Sequence, residues 1–580
     1  MSQSNQNKVS TSPVFTLWQV GDRRRQSTGR ISTVWNDQIN KDRDLGQVRM
    51  VIDLRIGGQR GGFSQRISCQ PVTVITEEGS GGYAYSPEAL LVEEPEITNE
   101  YSLGEATSSA RTMSLTINPK VIDPASLIQK GLFLAGFAEV SLVFDNCFWE
   151  DRYVIIRGDI GGGVSFGGRR NDGQFSTLDF EVVDPRETAA SRLPPWVLSS
   201  ARIALNDPQL AGERYSIAVN GFNYAPTLRR TSALAGQNRF IICQGSLSSV
   251  TALVVYVNGV LVLSGDLVYP WVIEEQIDNF GVNYIEIRFT SPVTTTWEDG
   301  DTVYALIDVD VKFSIVMSMY QVLSGYTAFG TVGLNSELFS SADSKVSLPY
   351  SYPQVLINAS GGGNAADAIS YIESTYLSSY PMISMVWSNG GYGPIVTDFR
   401  LEPVSEFVAG QYPIYDRASL VQESAKSEIK NEFILRWNYN AMLDIYESVD
   451  TRNSDNSSLC AYSQSIFGYR AGDTIESVTI NDQGSAVYVL NWLVAHYSLP
   501  SYYVEYDASP SVFLNFRRGD TVRITDDEFG WNRQSATIEK ITYRSGKSLL
   551  GLRVWVRFVD YGGSAYSVGG HGTEIITPAG

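Results

Sequence analysis

The chain has 580 residues, 44 Lys and Arg against 63 Asp and Glu, a net charge of −19 and 43% hydrophobic residues. This length allows three or four domains, and the apolar share is enough to build cores, which excludes a broadly disordered chain. The acidic balance argues against a protein that grips nucleic acid, since binding needs cations to displace counterions from phosphate. It leaves open a surface that DNA passes without adhering.

The 51 Gly, the 32 Tyr and frequent β-branched residues favour a mainly β fold with many turns. Four cysteines (Cys69, Cys147, Cys243 and Cys460) stand far apart, with no C-x-x-C and no histidine nearby. That spacing fits neither a zinc site nor a disulfide scaffold, and buried thiols are expected. The polar start MSQSNQNKVSTSP has no apolar core of a secretory signal. The longest apolar run, 251–263, is broken by Asn258-Gly259 and is shorter than the ~20 residues a membrane helix needs. Synthesis in a cytoplasm is the expectation.

Residues 1–45 form a polar arm containing Arg23-Arg24-Arg25. Strands are expected at 49–56, 71–76, 112–117 and 138–144, with a short helix within 124–138. Gly57 to Gly62 is read as a hairpin loop, since it lacks the strand–loop–helix setting of a phosphate loop. After Trp149-Glu150-Asp151-Arg152, a strand at 153–157 is expected to stop at Gly158, where a Gly-rich run to Gly168 turns the chain. Another strand at 175–183 ends at Asp184-Pro185, and Pro194-Pro195-Trp196 marks a module edge.

Residues 225–345 read as an inserted β-sandwich-like module, with strands at 239–243, 252–258, 260–263, 284–290 and 302–313. Asn258-Gly259 favours a tight type I′ hairpin. A helix capped by Asn364 follows, carrying Ala365, Ile369, Ile372 and Tyr376 at helical spacing and ending at Pro381. A strand at 431–441 leads to a second helix at 485–497, with Val487, Leu490, Val494 and Tyr497 on one stripe. Strands at 502–506, 512–516, 521–525, 535–543 and 552–558 complete a barrel, with turns at Arg518-Gly519-Asp520 and Asp526-Asp527-Glu528 and a slip near Lys540. Gly-Asp-Thr recurs at Gly300, Gly472 and Gly519, read each time as a turn entering a strand.

No catalytic constellation emerges. His496 lies in the last turn of a helix, where a cation suits the dipole, and His571 in a Gly-rich tail; neither has a nucleophile elbow nearby. The carboxylate pairs Glu93-Glu94 and Asp308 with Asp310 read as solvated, and Trp297 to Asp301 lacks the ligand spacing of a calcium loop. Arg518-Gly519-Asp520 is a turn by composition and needs no adhesive role. The expectation is no enzyme, no cofactor and no metal.

The order of pieces in the last third carries a resemblance: NEFILRWNYN from Asn431, Cys460-Ala461-Tyr462-Ser463-Gln464, a helix with Ala486 and Leu490 to Leu493, an extended 502–506, then LNFRRGDTVRITDDEFGW. It resembles the C-terminal part of the tail hub proteins of long-tailed bacteriophages, at the tail tip or baseplate. Upstream, LVEEPEITNEYSLGEATSSARTMSLTI and WEDRYVIIRGDI are similar to the first hub barrel. The resemblance covers 350 to 400 residues on both sides of the 225–345 module.

It implies a mainly β chain with a few helices and two hub-type β-barrels, in regions 46–224 and 346–580, flanking the inserted module. It further implies a homotrimeric ring that adapts a sixfold tail tube to a threefold tip and gates DNA passage. Its expected neighbours are the tube or a distal tail protein, the tape-measure protein and tail-tip or fibre proteins, with genomic DNA passing through. Acidic loop residues Asp526, Asp527 and Glu528 are the lumen-facing candidates. The rival readings are a tail protein that binds a receptor or host-surface glycan, and an enzyme that degrades polysaccharide; the absence of a β-helix repeat lowers the latter.

Overall fold

Alternation of apolar and polar residues sets the architecture, and burial of the apolar face holds it. A computed structural model describes residues 48–557 with interruptions, the longest at 101–111, 119–135, 169–176, 184–214, 291–301 and 358–370. The polar arm, the Gly57 to Gly62 loop, the helix expected within 124–138, Pro194-Pro195-Trp196, Asn364 and His571 lie outside the described residues.

The chain is mainly β. Seven strands form a first sheet in the order Glu88–Ala89, Phe63–Ser68, Val48–Ile56, Phe137–Phe144, Tyr153–Phe166, Leu178–Val183 and Thr112–Ile117. Val48–Ile56 and Phe63–Ser68 pair as an antiparallel hairpin, Ile56 opposite Phe63. An eight-stranded sheet is built from the other end of the chain. Its order is Ser405–Val408, Thr521–Asp526, Trp531–Tyr543, Leu550–Arg557, Ser501–Ala508 and Ile414–Arg417, with Gln422–Glu423 also on Ser501–Ala508. Its last member comes from the N-terminal half: Ile97–Glu100 pairs antiparallel with Trp531–Tyr543, Ile97 opposite Tyr543 and Glu100 opposite Lys540.

The two sheets share one apolar core. Ile52, Leu54, Val140, Leu142 and Phe180 from the first join Phe407, Val504, Ile524, Ile538 and Val554 from the second, all buried. Each such side chain stabilises the fold by roughly 1.5–3 kcal/mol, so the shared core and the crossing strand together tie regions separated by more than 200 residues of intervening chain.

Between them in sequence lies a β-sandwich. One sheet holds Trp271–Ile277, Asn283–Phe289, Asn238–Gln244, Ile217–Asn220 and Val355–Ile357, with Leu228–Thr231 on its side; the other holds Phe222–Pro226, Val303–Val309, Val250–Val257 and Val260–Val262. Phe240, Ile285 and Phe289 meet Val255, Ala305 and Ile307 in its core. At the Asn258-Gly259 turn both residues have positive φ, 49° and 77°, as a type I′ hairpin requires.

Four helices α1 (Ile315–Tyr326), α2 (Ser336–Lys345), α3 (Ser458–Phe467) and α4 (Gln483–Tyr497) pack with the Ile383–Ser388/Gly391–Val396 hairpin and the Glu432–Asn440 strand in another core. Asn335, Ser457 and Asp482 cap α2, α3 and α4 with side-chain oxygens.

Several elements differ from the sequence reading. The strand expected to stop at Gly158 runs on to Phe166; Gly158 and Gly161 to Gly163 lie inside it, and its register against Leu178–Val183 shifts between Gly161 and Ser165. Glycine in a strand marks a bulge as readily as a turn. Val512 is not in a strand: Phe516 N–H donates to the Val512 carbonyl at 3.0 Å, a helical-turn bond. The segment Gly472-Asp473-Thr474 lies within the Ala471–Glu476 strand and is not a turn before it. The end of the 225–345 module, in which only strands were expected and none beyond 313, carries the helices α1 and α2. Helix α4 buries Ala486, Val489, Trp492 and Leu493 as well as Leu490 and Val494, so it is covered on more than one stripe. The slip near Lys540 is present as a register shift between Ile538 and Lys540 against the Leu550–Arg557 strand.

Candidate functional site

The acidic turn is built by a strand that ends in its own cap. Asp526 closes Thr521–Asp526, and its Oδ1 accepts the Glu528 N–H at 3.1 Å, starting a single 3-10 turn over Asp527–Phe529. Gly530 ends the turn at φ 68°, a left-handed position. Asp526 is buried at 2% exposure. Arg417, from the Ile414–Arg417 strand, donates through Nη2 to both Asp526 oxygens at 2.8 Å, and Tyr506 donates its hydroxyl to Oδ2 at 2.9 Å. Nη1 of Arg417 reaches Glu528 Oε2 at 2.5 Å. The guanidinium also lies 3.9 Å from the Phe529 ring centroid, and Phe529 packs on Trp531 at 4.6 Å.

Of the three lumen-facing candidates, Asp526 is therefore inside the protein, engaged by Arg417 and Tyr506. Asp527 and Glu528 are exposed. Burial, then the Asp526 hydrogen bond and charge, push the Tyr506 hydroxyl well above its ordinary range. It stays protonated and donating.

A second lock of the same chemistry holds the first sheet. Glu139 is completely buried on Phe137–Phe144. Arg157 donates through Nε to its Oε2 at 2.8 Å, Arg152 binds Oε1, and Ser141 donates to Oε1 at 3.3 Å. Arg152 also donates to the Trp149 carbonyl at 3.0 Å and lies 4.6 Å from the Trp149 ring, with Arg66 at 4.3 Å from that ring. Burial alone would push the Glu139 carboxyl up, but the two guanidinium groups outweigh it and hold it down at about 2. Trp149 and Arg152 belong to the segment singled out in the sequence. Glu139 was missed, and its signal is a carboxylate amid the apolar strand FAEVSLVF.

The Arg518-Gly519-Asp520 turn is structural. Gly519 has φ 81°, and its N–H donates to the Ile538 carbonyl at 2.8 Å. Lys345 of α2 reaches Asp520 at 3.6 Å and Glu337 reaches Arg517 at 3.7 Å, so the turn clamps α2 to the eight-stranded sheet. His496 is buried, with Nδ1 2.8 Å from the Trp492 carbonyl and its ring stacked on Trp492 at 4.0 Å. It lies in the last turn of α4, as expected, and packs in the core. Cys243 and Cys460 are buried and Cys69 is half-buried; burial pushes the Cys243 thiol up to about 12. Among the described residues no group of three His, Cys, Asp or Glu side chains could hold a metal ion. What the two locks do chemically is fix shape: Glu139 and Arg157 clasp neighbouring strands, while Arg417 and Asp526 tie two strands that are not neighbours in the order of the eight-stranded sheet, each by a charge pair that solvent barely reaches.

No protein-family model and no curated protein matches the chain. Among solved structures it is similar to a tail protein from Neisseria meningitidis, at 8% identity over 87% of this chain and 96% of that one, with a TM-score of 0.34. It is likewise similar to a 43 kDa prophage tail protein from Shewanella oneidensis, at 9% identity over 88% and 98% of the two chains, TM-score 0.34. A prophage tail protein from Listeria monocytogenes matches at 10% identity over 57% and 87%, TM-score 0.24.

Proposed function

We propose that the chain is a non-catalytic structural component of a bacteriophage tail, the hub at the tail tip or baseplate. In this reading three copies close into a ring. Each copy supplies two barrel-like units, so three chains present six, and the ring adapts a sixfold tail tube to a threefold tip. It holds the tube and the end of the tape-measure protein, then opens for DNA on host contact.

One observation carries this reading. An N-terminal and a C-terminal sheet of similar size share a single core, and the Ile97–Glu100 strand crosses from one half into the sheet of the other. Each sheet has its own Arg–carboxylate–aromatic lock, at Glu139 and at Asp526. The net charge of −19 suits a lumen that DNA slides through, with Asp527 and Glu528 as its exposed acidic loop residues. The sandwich would sit outside the ring, where insertions are tolerated.

The test is solution mass with class averages of negatively stained particles. The expected result is three times the 64.0 kDa chain mass and a ring with a central hole. An elongated trimer without a lumen would overturn the ring and favour a receptor-binding tail protein.

A further inference from the structure

The sandwich has an edge strand that its own sequence leaves unguarded. Val260–Val262 is last in the four-stranded sheet and, among the described residues, pairs only with Val250–Val257. Natural edges carry a lysine, a proline or another charge that stops a further strand from adding. This edge reads Val260-Leu261-Val262-Leu263, with none of them. Val262 is buried, but Val260 is 66% exposed, Leu261 50% and Leu263 61%.

The strand is nevertheless firmly held. Val257 lies opposite Val260 across the Asn258-Gly259 turn, Val255 lies opposite Val262, and the Trp271 indole N–H donates to the Val262 carbonyl at 3.0 Å. In a two-residue hairpin the pair flanking the turn exchanges both its backbone bonds, so the next residue, Leu261, directs its N–H and C=O outward. A fixed backbone thus offers a donor, an acceptor and apolar side chains to an added strand.

The surrounding module is acidic. From Val250 to Val311 the sequence holds ten Asp and Glu against a single basic residue, Arg288, which is itself engaged by Glu274 at 2.6 Å. The complementary chemistry stands in the N-terminal arm, where residues 1–36 hold five Lys and Arg against one Asp. Within the arm, Val14-Phe15-Thr16-Leu17-Trp18-Gln19-Val20 has five β-branched or aromatic members and lies between Pro13 and Gly21, the sequence signature of a strand. Arg23-Arg24-Arg25, to which the hub reading gives no role, follow two residues later. The chain from Val20 to Val48, where the first sheet begins, spans up to about 90 Å when extended, so the arm reaches the sandwich.

We propose that residues 14–20 of the chain's own arm dock on the open Val260–Val262 edge as a fifth strand, with Arg23-Arg24-Arg25 held in the field of the module's carboxylates. The tether keeps the arm at a high effective concentration beside the edge, which favours this segment over a strand from another molecule. The inference goes beyond the tail reading, and either survives the failure of the other.

The test is hydrogen exchange of the full chain, with mass read on peptides covering 14–20 and 260–263. Relative to a free synthetic peptide of residues 12–27, segment 14–20 is expected to exchange roughly a hundred-fold more slowly at ~0.05 M salt, and to lose about ten-fold of that protection at ~0.5 M. Leu261→Pro removes the outward N–H and leaves the ladder to Val250–Val257 in place, so it should bring 14–20 close to the free-peptide rate. Exchange at Asn238–Gln244 and Asn283–Phe289 reports whether that variant keeps its fold. The triple change Arg23→Glu, Arg24→Glu and Arg25→Glu, which leaves the sandwich sequence intact and serves if the proline variant unfolds, should cost about ten-fold or more of the protection. Exchange of 14–20 at the free-peptide rate in the wild-type chain would overturn the proposal. So would protection that survives Leu261→Pro in a folded sandwich, or that survives both the arginine changes and high salt.

Discussion

Replacing Glu139 by Gln is expected to lower stability by roughly 3–5 kcal/mol in chemical denaturation, because it removes the charge that compensates two guanidinium groups with little access to water. The side chains of Arg152 and Arg157 are each 11% exposed, and Glu139 is not exposed at all. Glutamine keeps the shape, so the loss reports electrostatics rather than a cavity. The same residue gives the fold an acid sensitivity of known sign. The carboxyl is held at about 2 against 4.5 for the unperturbed group. A depressed acid contributes stability that is complete above the unfolded value and is lost as pH falls toward the folded one. The contribution is about 3 kcal/mol, disappearing between pH ~4.5 and ~2. The Glu139→Gln variant should show a flatter dependence in that window than wild type. An unchanged denaturation midpoint and an unchanged acid limb would contradict the lock.

The second large effect is expected at Asp526→Asn. Asparagine has one acceptor oxygen where the carboxylate has two, so the two-pronged Arg417 contact and the Tyr506 hydroxyl cannot both be kept. A loss of roughly 3 kcal/mol is expected, somewhat less than at Glu139 because the Arg417 side chain is 19% exposed. Adding Arg417→Met should recover part of it, since the uncompensated cation is then gone; the double-mutant cycle reads this coupling directly. Hydrogen exchange should rise first at Thr521–Asp526 and in the turn that follows. Additive losses in the two single variants would show that the pair does not clasp the strands.

What the sequence disclosed was local. Period-two alternation located Thr521–Asp526 and the Leu550–Arg557 strand, Asn258-Gly259 announced its turn, and the polar interruption at Lys540 marked a register shift. What it hid depends on partners far along the chain. Gly158 to Gly163 read as a turn because glycine supplies turns, yet they lie inside a strand, where Gly158 pairs with Ala138 and Gly161 with Glu181, and Gly162 and Gly163 fall in the register shift. Helix α1 is an apolar run whose period does not distinguish it from a buried strand. The acidic turn was found as a motif, but Arg417, 109 residues away, decides that Asp526 faces inward. Nor does any pattern within Ile97–Glu100 indicate that it joins a sheet made from residues beyond 400. Composition found the tyrosines but not their arrangement: the cross-strand register that puts Tyr256 opposite Tyr304 exists only once the sandwich is closed.

The claim that this chain is a tail-tip hub is tested most directly by gold-labelled antibodies against it on intact virions. The account predicts label at the distal end of the tail, one cluster per particle, retained when the fibres are removed. Label on the fibres alone, on the capsid, or absent from purified virions would contradict it.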